Sequence, residues 1–114
     1  KSTRFPEAEL DAYAGHLAGV PPRLLYERQN VGGSQLKIDN PRMFEALPVM
    51  VFTGEFDTDH PKDIDRAIVE WLRDAGASVD FYWLPDHGIP GNGHMLMMEE
   101  NSDELAELII NWVG

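Results

Sequence analysis

The sequence predicts an α/β fold: two parallel strands flanked by helices and preceded by a small helical segment. Three observations predict it. Two short β-rich runs, residues 48–53 and 79–84, are separated by a stretch with helical periodicity. A second amphipathic stretch closes the chain, and the first 45 residues carry helical patterns with no strand of their own. Strands joined through a helix lie parallel in one sheet, with a right-handed crossover.

Taken in order, Pro6, Glu7 and Glu9 suit a first helical turn, after which Leu10, Tyr13, Ala14 and Leu17 recur at i, i+3, i+4 and i+7. Gly19 and Pro21-Pro22 are expected to stop that helix. Leu24, Leu25 and Tyr26 suggest a short second helix. Residues 30–40 carry two glycines and read as loop, and residues 41–47 suit one or two helical turns. Residues 1–45 are therefore expected to form a helical cap or lid, and residues 46–114 a strand-helix-strand-helix part.

The run Pro48-Val49-Met50-Val51-Phe52-Thr53, ended by Gly54, has the continuous apolar character of a strand buried on both faces. Pro61 and Asp63 open a helix with Ile64, Ala67, Ile68, Trp71 and Leu72 on one apolar stripe, closed near Gly76. Residues 78–84 supply the second strand, stopped by Pro85. Leu105, Leu108, Ile109 and Trp112 mark the last helix, with Ser102 as its expected N-cap and Asp103 and Glu104 in its first turn. The run Glu99, Glu100, Asp103, Glu104 is read as a solvated helix start, and Trp71, Trp83 and Trp112 as core. Two parallel strands are too few for a stable sheet. The chain is thus expected to complete its sheet against other polypeptide.

Composition narrows the function. A content of 43% hydrophobic and 25% charged residues is that of a soluble globular domain. Nine basic against twenty acidic residues give a net charge of -11, which repels phosphate backbones and anionic lipid surfaces. Neither nucleic acid nor a membrane is an expected partner. No apolar run approaches the ~20 residues of a membrane span, and residues 1–9 lack the apolar core of a signal peptide. The absence of cysteine excludes disulfides, thiol nucleophiles and thiolate metal sites, and leaves the compartment open.

The chemistry concentrates in two loops. Asp57, in Gly54-Glu55-Phe56-Asp57, stands just beyond the carboxyl end of the first strand, where open α/β sheets place their sites. His94 follows the second strand in Gly91-Asn92-Gly93-His94, and the loops after neighbouring strands converge. An aspartate accepting an imidazole N–H fixes its tautomer and stabilises the imidazolium as it forms. Asp57 equally suits an Asx-type turn that caps the following helix. His60 and His87 are loop histidines without an evident orienting partner, and His16 is expected to be solvated. Asp57, Asp59, His60, Asp86, His87 and His94 offer donors for zinc or manganese, yet without a recognised ligand spacing. No metal or other cofactor is expected. Gly32-Gly33-Ser34 lacks the strand and the Lys-Ser/Thr of a phosphate loop, and none of Ser2, Ser34, Ser78 and Ser102 sits in Gly-x-Ser-x-Gly.

The order strand, Gly-x-x-Asp, helix, strand, Gly-x-Gly-His, helix resembles the C-terminal part of an α/β-hydrolase, from that fold's seventh strand to its last helix. Residues 88–98, Gly-Ile-Pro-Gly-Asn-Gly-His-Met-Leu-Met-Met, ahead of Ile109-Ile110-Asn111-Trp112, are similar to an esterase-like group in which a Gly-Asn-x-His-Met segment carries the catalytic histidine. The resemblance implies that His94 is the general base and Asp57 the acid of a Ser-His-Asp triad. Some members of that group take the acid from beyond the sixth strand, upstream of this chain. Within the chain, Asp59 and Glu55 are the nearest substitutes. Residues 1–45 would match the variable cap, with Phe5, Leu24, Leu25 and Tyr26 as candidate pocket-lining residues.

The family's nucleophile elbow and oxyanion-hole loop precede the cap and are absent here. The resemblance therefore implies one piece of a serine hydrolase of esters, lactones or amides: a processed subunit, one half of a heterodimer, or a fragment. Its serine would lie on a companion chain. The competing expectation is a non-catalytic receptor or scaffold module of the same fold. A free-standing flavodoxin-like or metal-binding domain is disfavoured, because two strands do not make such a sheet.

Overall fold

The computed structural model describes residues 2–35 and 37–114; residue 1 and residue 36, the latter in the predicted loop 30–40, lie outside the described residues. The chain forms two compact units, one of residues 8–41 and one that joins residues 2–7 to residues 42–114.

A 3-10 turn, Glu7–Glu9, leads into helix α1 (Leu10–Gly15) of the smaller unit, and helix α2 follows at Pro22–Arg28. Proline at the first position of α2 fits a site whose N–H has no helical partner. Helix α1 stops four residues before the predicted Gly19. Gly15 is a poor helix former, and six residues with no buried face gain little from tertiary packing. The His16 ring then turns back, with Nδ1 2.7 Å from the Ala12 carbonyl oxygen. Leu17 accordingly falls outside the helix and is exposed.

The larger unit holds a two-stranded parallel sheet with helices flanking it, an arrangement compatible with part of an α/β fold. Strand β1 (Pro48–Thr53) is followed by helix α3 (Lys62–Asp74), strand β2 (Ser78–Trp83) and helix α4 (Ser102–Val113). The strands pair in register from Pro48 with Ser78 to Thr53 with Trp83. Because strand side chains alternate, Val49, Val51, Val79 and Phe81 share one face and pack with Val69 and Leu72 of α3. Phe52 packs on the other side with Leu84, Ile89 and Leu105, the last from α4. Leu84 opens a 3-10 turn, Leu84–His87, and is fully buried, so the second strand ends one residue short of the predicted limit.

Two expectations of burial require correction. Most of β1 is half-buried, not buried on both faces, because only one strand pairs with it among the described residues. Apart from Leu72, the predicted stripe of α3 also faces outward: Ile64 is 50% exposed and Trp71 42%, with Trp71 in edge-to-face contact with Phe44. The residues α3 turns to the sheet are Asp65, Val69 and Leu72. Trp112 is half-buried, and its indole N–H donates to Asp80 at 2.7 Å. Ile109, Ile110 and Val113 of α4 are exposed as well.

Candidate functional site

Since β1 and β2 are parallel and in register, the loops that follow Thr53 and Trp83 leave the sheet at the same end. The first carries Asp57 and the second His94, and they meet: His94 Nδ1 lies 3.0 Å from Asp57 Oδ2. A carboxylate only accepts, so Nδ1 carries the hydrogen, and Nε2 on the far side of the ring is left as the proton acceptor. The Asp57 side chain is 9% exposed and that of His94 45%. The carboxylate is packed and the imidazole is presented.

Asp57 also makes the predicted Asx-type turn. Its other oxygen accepts the backbone N–H groups of His60 at 2.8 Å and Asp59 at 2.9 Å. Burial pushes the Asp57 pKa up, but the hydrogen bonds from the His60 backbone and from His94, the charge of His94, and the Asp59 backbone bond outweigh it. The net result lies below the ordinary aspartate value. The structural and the site-building readings of Asp57 therefore describe the same carboxylate.

The two loops are fastened together by backbone. Phe56 N–H donates to the Asn92 carbonyl at 2.8 Å, and Gly91 N–H donates to Glu55 Oε2 at 2.9 Å. Glu55 is thus engaged with the loop backbone, and Asp57, not Glu55 or Asp59, holds the His94 ring. Gly54 is what lets the loops approach: a Cβ there would stand 2.4 Å from the Gly93 oxygen and 2.8 Å from that of Asn92. Both obstacles are backbone, which cannot rotate aside. Gly54→Ala is expected to destabilise the protein by about 1–3 kcal/mol, the usual scale for overpacking, read as a lowered melting temperature.

Behind His94 lies a buried polar network that sequence reasoning missed. Asn92 is fully buried; its amide donates to Glu99 Oε2 and, at 2.7 Å, to Asn101 Oδ1, and the Asn101 amide returns a bond to Asn92 Oδ1 at 3.1 Å. The other oxygen of Glu99 accepts Gly93 N–H at 2.8 Å. Glu99 is only 3% exposed, which corrects its reading as part of a solvated helix start. A buried carboxylate persists only where its oxygens are hydrogen-bonded, and here they hold the two residues preceding His94. Asn101, not Ser102, is the N-cap residue of α4; its side chain caps no backbone N–H and instead joins this network, with a further, longer bond at 3.4 Å to Glu104 in the first turn. The available signal was an asparagine between glycines, a polar group that must find partners once enclosed. From the N-terminus, Thr3 N–H donates to the Gly91 carbonyl and Arg4 Nε to that of Pro90, both at 2.9 Å.

The remaining predicted residues divide. His60 does have a carboxylate partner, Asp65, and lies against His94. His87 rests on the Tyr82 ring at 4.6 Å, and Asp86 pairs with Lys62 at 3.2 Å. Among the described residues no three acidic or histidine side chains form a metal-ligand set. Phe5 is half-buried; Leu24, Leu25 and Tyr26 are exposed on α2.

Comparison with known proteins yields an informative relative. The chain is 39% identical over 69 residues to a fungal protein, "Probable secreted lipase phiG" from Fungal sp. (strain ATCC 74256). The match covers 60% of this chain and 18% of that protein, so the chain spans less than a fifth of the relative's length. No family model matches the chain. No solved structure matches it.

Proposed function

We propose that this chain is the C-terminal part of an α/β-hydrolase of the esterase-like group, hydrolysing a carboxylic ester, lactone or amide. The observation that carries this reading is the 3.0 Å contact between His94 Nδ1 and Asp57 at the carboxyl end of a parallel sheet. Likeness to a protein named as a secreted lipase supports it. His94 Nε2 takes the proton of a serine hydroxyl as the oxygen attacks the carbonyl carbon, then returns it to the departing alkoxide or amine; Asp57 stabilises the imidazolium between the two steps. Water repeats the sequence on the acyl-enzyme. Residues 1–45 correspond to the variable cap segment of that group.

The serine and the oxyanion hole belong to a companion chain or to a further segment of the same polypeptide. Three features support such a companion: the strand edges left unpaired among the described residues, the exposed Ile64, Ile68 and Trp71 of α3, and the exposed Ile109, Ile110 and Val113 of α4. Apolar side chains at helical spacing on both flanking helices are what a partner would cover.

The test is to treat the native protein, with any polypeptide that co-purifies, with a fluorophosphonate and to map the adduct by mass spectrometry. One modified serine outside these 114 residues is expected. Failure to form any adduct, under conditions that label a known serine esterase, contradicts hydrolysis and leaves the non-catalytic module.

A further inference from the structure

We infer that His60 is a positioning residue for His94: a second imidazole, anchored on its own buried carboxylate, that fixes the plane of the first. The inference rests on the proposed role of His94 as base. The two rings are nearly parallel, 9° apart in tilt with centroids 5.4 Å apart. His60 also touches the acid, since its backbone N–H is one of the donors to Asp57 at 2.8 Å. One residue therefore braces both members of the pair.

His60 is itself held from within the fold. Its Nδ1 lies 3.2 Å from Asp65 Oδ1, and the other Asp65 oxygen accepts the Thr53 hydroxyl at 2.6 Å. Asp65 is 5% exposed and Thr53 fully buried at the end of β1. Were Asp65 only a tie between α3 and β1, the Thr53 bond would suffice. Its second oxygen instead reaches the ring that faces His94.

The need for such a brace follows from His94's surroundings. The torsion that turns an imidazole about its Cβ–Cγ bond has a broad minimum, and the His94 side chain is nearly half exposed. One hydrogen bond to Asp57 sets the direction of Nδ1 but leaves the ring free to rock about it. A flat neighbour on one face restricts that rocking. Because general-base catalysis requires Nε2 within hydrogen-bond reach of the nucleophile, the restriction acts on kcat and leaves substrate binding alone.

The experiment compares His60→Ala and His60→Phe in the native protein with a p-nitrophenyl ester as substrate. His60→Ala is expected to lower kcat about tenfold with KM within about twofold, as a small misplacement of a reacting group does. His60→Phe, which restores a flat ring, is expected to recover most of the loss. Wild-type kcat in His60→Ala overturns the inference, as does a His60→Phe variant as slow as His60→Ala. If His60→Ala does not fold, His60→Gln, which keeps bulk and polarity without a ring, takes its place with the same expectations. The low-field proton signal of the His94–Asp57 hydrogen bond is expected to broaden in His60→Ala, and an unchanged signal counts against positioning. His94→Ala is measured alongside. Full activity there removes His94 from the role of base and overturns this inference with it; loss there beside a fully active His60→Ala overturns the inference alone.

Discussion

On the proposed hydrolase reading, His94→Ala is expected to lower kcat for ester hydrolysis by about 10⁴- to 10⁶-fold, the scale of losing the histidine from a triad. The expectation depends on the single contact to Asp57, which commits Nδ1 as donor and leaves Nε2 as the proton acceptor. Nothing in the fold depends on the ring in the same degree. Its side chain is nearly half exposed, and the loop that carries it is held by Asn92, Glu99 and Gly91. The variant is therefore expected to melt within a few degrees of the wild type, separating loss of chemistry from loss of structure. A stopped assay across pH values checks it, and activity within about tenfold of wild type would remove His94 from the role of base.

The parts of the structure legible from sequence are those that periodicity governs. Residues 48–53 form the predicted strand, and the helices beginning near Pro61 and Ser102 appear where proline and acidic residues announce them. Periodicity failed in a specific way at α3. Of the stripe Ile64, Ala67, Ile68, Trp71 and Leu72, Leu72 does meet the sheet, but beside it stand Asp65 and Val69, while Ile64, Ile68 and Trp71 are exposed. An apolar stripe implies that something covers it, and says nothing of what. The meeting of Asp57 and His94 was legible because parallel strands bring their following loops to one end. Glu99 and Asp65 were not. Carboxylates are rarely buried, and these two are buried only because Gly93 and Asn92, or Thr53 and His60, reach them through the fold.

On the same reading, Asp57→Asn is expected to lower kcat by about 10⁴-fold while leaving the fold intact, because asparagine can keep the turn and yet spoil the tautomer. The single side-chain oxygen of the substituted residue continues to accept the N–H groups of Asp59 and His60 that Asp57 accepts now. Its amide then faces His94 as a donor, so Nδ1 must become an acceptor and the hydrogen moves to Nε2, where the base is needed. Glu55→Gln and Asp59→Asn are expected to stay within about threefold, since neither side chain holds the His94 ring and an exposed or peripheral charge contributes little. A loss below about tenfold in Asp57→Asn would place the acid on the companion segment. The same residue carries a pH signature. Folding lowers the Asp57 pKa, so the stability it contributes is fully present above the ordinary aspartate value of about 4 and disappears as pH falls through the lower folded value. Melting temperatures recorded from neutral pH downward should therefore fall more steeply below about pH 4 in the wild type than in Asp57→Asn, where that position has no proton to gain.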